Sequence, residues 1–210
     1  AAEATELRKR GIEPPTNSGL RQKIAVMKWP ELVCWLGGQM ARSLHYAYNK
    51  GVLHRDLKPT NILIDMSGEP YLTDFGLAKF FDRGPGLTGS ASVLGTPAYM
   101  SPEQASGRVR EVTVASDVYS LGAILYELLT GRPPHLGETP LAVLDRVREG
   151  KVAAVRSLRP QVDVDLETVC LKCLHPEPAG RYASAGALAA DLVRWLDSRP
   201  IRARRTGLPE

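Results

Sequence analysis

Apolar side chains recur with helical spacing along much of this chain. From Glu31 to Lys50, Leu32, Leu36, Met40, Leu44 and Ala47 fall every three or four positions, and Gly51 stands where such a helix would end. Gly37 and Gly38 interrupt that helix at a cost in propensity. Val118, Leu121, Ile124, Leu125, Leu128 and Leu129 make a wider apolar face, closed by Gly131 and Pro133-Pro134. Leu141 to Arg148, Leu166 to Leu174 and Ala185 to Leu196 carry further amphipathic patterns. Tyr119, Tyr126 and Trp195 recur at helical spacings and read as core. Between the first two helices the pattern changes. Ile62-Leu63-Ile64 and Tyr71-Leu72-Thr73 flank Asp65-Met66-Ser67-Gly68, which predicts a hairpin with a glycine in its turn. The predicted class is therefore mainly α with one small β-hairpin sheet.

The rest of the chain is less regular. Residues 1–29 are weakly patterned, with a Pro14-Pro15 break, a turn cluster at Thr16-Asn17-Ser18-Gly19 and one short apolar stretch from Ile24 to Met27. Residues 77–113 read as a long loop rich in Gly, Ser, Thr and Pro, and loops of that length are usually functional or disordered. The end of the chain, 199–210, crowds arginines and reads as an exposed basic linker. Three units are expected: a segment at 1–29, a domain at 30–198 and a tail at 199–210.

Composition narrows the function classes. The hydrophobic fraction of 43% is enough for a buried core. The net charge of +4 is too small to argue for nucleic acid. No run of 18 apolar residues exists to span a membrane, and the charged N-terminus has no apolar signal core. Three cysteines do not make a disulfide scaffold, so a reducing, cytoplasmic compartment is expected, with membrane anchoring of the full-length protein left open. The absence of an initial methionine predicts a fragment or a processed product.

Chemistry concentrates at His54-Arg55-Asp56-Leu57-Lys58-Pro59-Thr60-Asn61, with Asp74-Phe75-Gly76 beginning 13 residues after Asn61, directly after a predicted strand. Phosphoryl transfer asks for positioning and charge neutralisation more than for covalent chemistry. One carboxylate accepts a hydroxyl proton, a second with an amide oxygen holds Mg²⁺, and a lysine faces the phosphate. Asp56, Asp74, Asn61 and Lys58 offer two carboxylates, an amide oxygen and an ammonium of that kind, on two loops joined by one short hairpin. Downstream stand Gly95-Thr96-Pro97-Ala98-Tyr99-Met100-Ser101-Pro102-Glu103, Asp117-Val118-Tyr119-Ser120-Leu121-Gly122 and Pro178-Ala179-Gly180-Arg181-Tyr182.

These five motifs, in this order, resemble the C-terminal lobe of the protein kinases, and most closely the eukaryotic-like bacterial Ser/Thr kinases of planctomycete type. The resemblance covers residues 31–198 and implies ATP and Mg²⁺ as cofactors and a protein bearing Ser or Thr hydroxyls as substrate. It implies Asp56 as catalytic base, Lys58 at the γ-phosphate, Asn61 and Asp74 as magnesium ligands, and Leu63 as the floor of the adenine pocket. Thr96 would bridge Asp56 and Lys58, a Ser/Thr-kinase feature. Arg55 implies control by phosphorylation of the activation segment, where Thr88, Ser90 and Ser92 are candidate acceptors.

The pattern also departs from the family. Only 53 residues precede His54 and no GxGxxG occurs among them, so a C-terminal lobe lacking its N-terminal lobe is expected. Lys28 then reads as an ordinary surface lysine rather than the strand lysine of that lobe. Two functions stay open: the catalytic lobe of a Ser/Thr kinase, or a kinase-like binding or regulatory module without turnover. The uncovered lobe surface and the Phe75 region are expected to be exposed and to favour self-association.

Other residues carry structural expectations. His54 should pack and hydrogen-bond, and Asp117 should be a buried anchor for the catalytic loop. Glu103 and Arg181 should form an ion pair. Cys170 and Cys173 should face the core rather than a metal, and His45, His135 and His175 should be surface or packing residues.

Overall fold

The computed structural model describes residues 19–75 and 97–203. Its helices in chain order are α1 (Gly19–Ala25), α2 (Trp29–Asn49), α3 (Pro102–Ala105), α4 (Val114–Thr130), α5 (Pro140–Glu149), α6 (Val155–Leu158), α7 (Val164–Cys173) and α8 (Ala185–Leu196). Strands β1 (Ile62–Ile64) and β2 (Pro70–Leu72) pair antiparallel with Ile62 opposite Leu72. The class is as expected, mostly helical with one two-stranded sheet.

The core forms where α2, α4, α7 and α8 meet. α2 lies against α8 and α4, and α4 also against α7. Val33, Met40, Leu44, Tyr119, Leu125, Tyr126, Leu166, Leu188 and Leu192 are buried there together. α4 is buried along nearly its whole length, so its Asp117, Ser116 and Ser120 must find partners inside the fold. Its start is fixed by Thr113, whose Oγ1 accepts from the Ala115 N–H, and its end by Gly131 at φ 84°, a left-handed conformation that suits glycine. A smaller cluster of Ala105, Val143, Leu144 and Val147 joins α3 to α5.

Several expectations need correction. The segment predicted as weakly patterned contains α1, whose Ile24 approaches the hairpin turn at Gly68. A seven-residue helix presents too few turns for its periodicity to stand out. The stretch read as a continuous loop from 77 to 113 contains α3 and two short 3₁₀ turns, Pro97–Tyr99 and Val109–Glu111, within its described part. Finally, the tail expected to be an exposed linker has exposed Arg199, Pro200 and Arg202, but its backbone is anchored to the fold at 202–203. The buried Asp191 carboxylate accepts from the Arg202 and Ala203 N–H groups and from the Tyr182 hydroxyl, and Ala203 is buried. The hairpin is shifted by one residue on its second strand, and the short α6 was not foreseen. No helix among the described residues is long and apolar enough to cross a membrane.

Candidate active site

The segment after α2 alternates anchors and presented groups. His54, Leu57 and Asn61 are buried, whereas Arg55 is exposed and Asp56 and Lys58 are half-buried. The buried residues tie the loop to the core. From the first turn of α4, Asp117 takes the His54 N–H at 2.9 Å on one carboxylate oxygen and the Arg55 N–H at 2.8 Å on the other. Burial pushes the Asp117 carboxyl up from its ordinary value, and the two N–H bonds oppose that push. The expectation of a buried anchor holds.

Lys58 Nζ meets Asp56 Oδ2 at 2.8 Å, so ammonium and carboxylate stand side by side at the half-exposed edge of the loop. Asn61 Nδ2 donates to the Asp56 carbonyl at 2.8 Å. With its nitrogen so committed, the amide oxygen of Asn61 is the atom left to face a cation. The next residues are held by the hairpin. Both the Thr73 N–H, at 3.0 Å, and its hydroxyl, at 3.3 Å, donate to the Asn61 carbonyl. The Thr73 carbonyl in turn meets His54 Nε2 at 2.9 Å. Asp74 therefore leaves the sheet one residue beyond an anchor shared with the loop that carries Asp56. It is exposed and takes a left-handed φ of 60°. The Phe75 ring lies 4.8 Å from the His54 ring and packs on the core, so this residue is not left exposed as expected.

These donors fit magnesium better than a metal that prefers nitrogen or sulfur. No group of three or more His, Cys, Asp or Glu able to hold a metal occurs among the described residues. Mg²⁺ is commonly held by one or two carboxylates together with substrate phosphates, which matches a carboxylate and an amide oxygen acting with a nucleotide.

Leu63 lies on β1 with 54% of its surface exposed, beside exposed Ile64 and Tyr71. Lys28 is exposed, as expected of a surface lysine, and its N–H caps α2 through Glu31. Thr88, Ser90, Ser92 and Thr96 lie outside the described residues. The ion pair of Glu103 and Arg181 is present and fully buried, with Nη1–Oε1 at 2.7 Å and Nη2–Oε2 at 2.8 Å. Burial alone would raise the Glu103 pKa, but hydrogen bonds from Arg181 and Ser116 and the guanidinium charge hold it down to about 2. Cys34, Cys170 and Cys173 are free and buried, and burial pushes all three thiols well up.

One contact escaped the sequence reading. Gln104 Nε2 donates to the Arg55 carbonyl at 2.6 Å. The sequence carries only part of its signal: Ser101-Pro102-Glu103-Gln104 is a capping-box pattern that marks a helix start and turns the Gln104 side chain back to Ser101, without pointing to Arg55.

The model of the protein kinase domain matches residues 21–193. The serine/threonine-protein kinase PknB of Mycobacterium leprae is 38% identical over 175 residues, 83% of this chain and 28% of that protein. PknB of Mycobacterium tuberculosis is 42% identical over 165 residues, 77% of this chain and 26% of that protein. The probable serine/threonine-protein kinase SCO3848 of Streptomyces coelicolor is 40% identical over 164 residues, 77% of this chain and 24% of that protein. The chain thus spans about a quarter of the length of these curated relatives. With most of its residues matched by the domain model, the chain belongs to the protein kinase family.

Proposed function

We propose that residues 30–198 are the catalytic, substrate-binding lobe of a kinase that transfers the γ-phosphoryl group of ATP to Ser or Thr hydroxyls of proteins. Asp56 accepts the proton of the acceptor hydroxyl as its oxygen attacks the γ-phosphorus, and ADP leaves. Lys58, already beside Asp56, neutralises charge at the γ-phosphate. Asn61 and Asp74 hold Mg²⁺, which supplies charge neutralisation on the phosphate oxygens. Leu63 forms the floor under adenine. Thr96 bridges Asp56 and Lys58, and Arg55 receives a phosphate placed on Thr88, Ser90 or Ser92. The free, buried cysteines support a reducing, cytoplasmic setting.

One observation carries this reading. A continuous set of hydrogen bonds from Asp117 through His54, Thr73 and Asn61 to Asp56 ties together the two loops that bear the reactive groups. Rigid support of this kind is what catalysis by positioning requires. The test is ATP-dependent phosphorylation of a generic protein acceptor by the full-length gene product and by its Asp56→Asn form. Loss of at least about a hundredfold in kcat is expected, the scale typical of a removed general base. Equal rates would remove Asp56 from this role.

The exposure of Leu63 favours a second reading, a kinase-fold binding module without turnover, because a nucleotide resting there has little cover among the described residues. Calorimetry with Mg-ATP separates the two. Binding without phosphotransfer in the full-length protein would favour the module.

A further inference from the structure

Arg55, directly before Asp56, is with Asp74 one of two strained backbone positions in the site. Arg55 has a φ of 66°, where residues other than glycine are uncommon. The Asp56 N–H bonds back to the His54 carbonyl at 2.9 Å, closing a three-residue turn with Arg55 at its centre. Such a turn with positive φ is rare, and it persists only where the surroundings over-determine it. Asp117 fixes the entry to the turn through the His54 and Arg55 N–H groups. The exit is the Arg55 carbonyl, which belongs to the same peptide plane as the Asp56 N–H. Gln104 holds it from 49 residues away in the chain.

Gln104 is itself restrained. Its Oε1 accepts from both the N–H and the hydroxyl of Ser101, each at 3.0 Å. Two donors on one end of the amide identify that end as oxygen and leave the nitrogen aimed at Arg55. The neighbouring Glu103 is clamped by Arg181 and Ser116, and Ala105 is buried. The short helix α3 is thus a fixed platform, and Gln104 connects it to the loop.

We propose that Gln104 is a positioning residue for catalysis: its amide N–H holds the Arg55 carbonyl, keeps the strained turn closed and so fixes the direction in which Asp56 leaves it. The inference rests on the assignment of Asp56 as base. It does not make Gln104 a group that touches substrate.

Gln104→Glu separates this role from helix capping. The carboxylate still accepts from Ser101, but it offers Arg55 no donor and sets negative charge against the carbonyl. In the full-length protein, kcat should fall about tenfold, the scale of a slightly misdirected base, while KM for ATP and the thermal midpoint stay near those of the parent. The ratio of variant to parent rate should recover as pH is lowered toward 4.3, where a protonated Glu regains an O–H donor. Gln104→Met, similar in length and without donor or charge, should show the same loss and no recovery. Unchanged kcat in both variants, or losses that appear only in thermal stability, would overturn the proposal.

Asp56→Asn is measured alongside. If it were as active as the parent, the reading of the site would fail, and Gln104 would then be judged on amide hydrogen exchange alone. Faster exchange at residues 54–58 in Gln104→Met, with α4 and α7 unchanged, is the expected result. Parent-like exchange there would dismiss the role.

Discussion

Glu103 and Arg181 meet with no side-chain surface left to solvent, and each has partners beyond the other. Ser116 donates to Glu103 at 2.6 Å, and Arg181 also donates to the carbonyls of Ala115, His175 and Pro176. Every donor and acceptor is used, which is the condition under which a buried pair is tolerated. Arg181→Met leaves an unpaired carboxylate in the interior and should destabilise the fold by about 3–5 kcal/mol in denaturant unfolding. Arg181→Lys should recover only part of that, because an ammonium cannot reproduce the two-point contact with the carboxylate. Asp117 is a different case, since its carboxylate is held by two backbone N–H groups, those of His54 and Arg55. Asp117→Asn keeps one acceptor oxygen and turns the other into a donor facing an N–H. Stability should fall by about 1–3 kcal/mol, and kcat should fall with it, since the displaced backbone carries Asp56. A variant that lost stability yet kept full kcat would show that the loop is held without Asp117.

The contrast between neighbouring glycines appears at the scale of elements. Sequence periodicity located α2, α4, α5, α7 and α8 to within a few residues, because each buries one face and so repeats its apolar positions. It read Gly37 and Gly38 alike as costs to α2, and the packing upholds this for Gly38 but gives Gly37 a reason to lack a side chain. A Cβ on Gly37 would lie 2.6 Å from Leu125 Cδ2 and 3.2 Å from Leu192 Cδ1, at the crossing of α2 with α4 and α8. A Cβ on Gly38 would meet nothing within 4 Å. Gly122 in α4 is tighter still, 2.4 Å from Cys173 Cβ with the α7 backbone behind it. Gly38→Ala should therefore stabilise by up to about 1 kcal/mol through helix propensity. Gly122→Ala should cost about 1–3 kcal/mol through overpacking, and Gly37→Ala should fall between, because the Leu125 side-chain end can turn aside. Thermal midpoints in that order are the check, and equal midpoints would contradict the packing argument. The same distinction explains what was legible in the site. Asp56, Lys58, Asn61 and Asp74 stand in a dense local motif, and Asp117 and the Glu103–Arg181 pair in recognisable segments. The Gln104 bond to Arg55 joins two turns 49 residues apart, and no periodicity in the chain encodes that approach. Short elements such as α1 and α6 were missed for lack of turns, and the strap at 200–203 because its anchor, Asp191, is an isolated acid on an apolar helix.

For the whole molecule, acid sensitivity follows from two buried groups acting in successive ranges. His135 is buried after α4, with Nε2 at 2.8 Å from the Tyr119 hydroxyl. Burial and, secondarily, the Arg146 charge bring its pKa down to about 4 from an ordinary 6.5. The unfolded chain thus binds a proton on His135 more readily than the folded one. Stability is complete above pH 6.5 and declines as pH falls from 6.5 to 4. Glu103 has the same sign for another reason: its folded value near 2 lies below the ordinary 4.5, so the stability of its ionised form is lost between 4.5 and 2. The two windows overlap slightly, and the midpoint of thermal unfolding should decline continuously from about pH 6.5 downward rather than stay level to pH 4.5. His135→Gln keeps an acceptor for Tyr119 and cannot take a proton, so it should flatten the upper limb and leave the lower one in place. The exposed hairpin side chains Leu63, Ile64 and Tyr71 supply an apolar surface that titrates in neither range. Any self-association through it should depend on concentration and persist at neutral pH. Scans at several concentrations therefore separate the contributions: a decline below pH 6.5 that survives dilution and disappears in His135→Gln belongs to the histidine, and one that vanishes on dilution belongs to association through the hairpin.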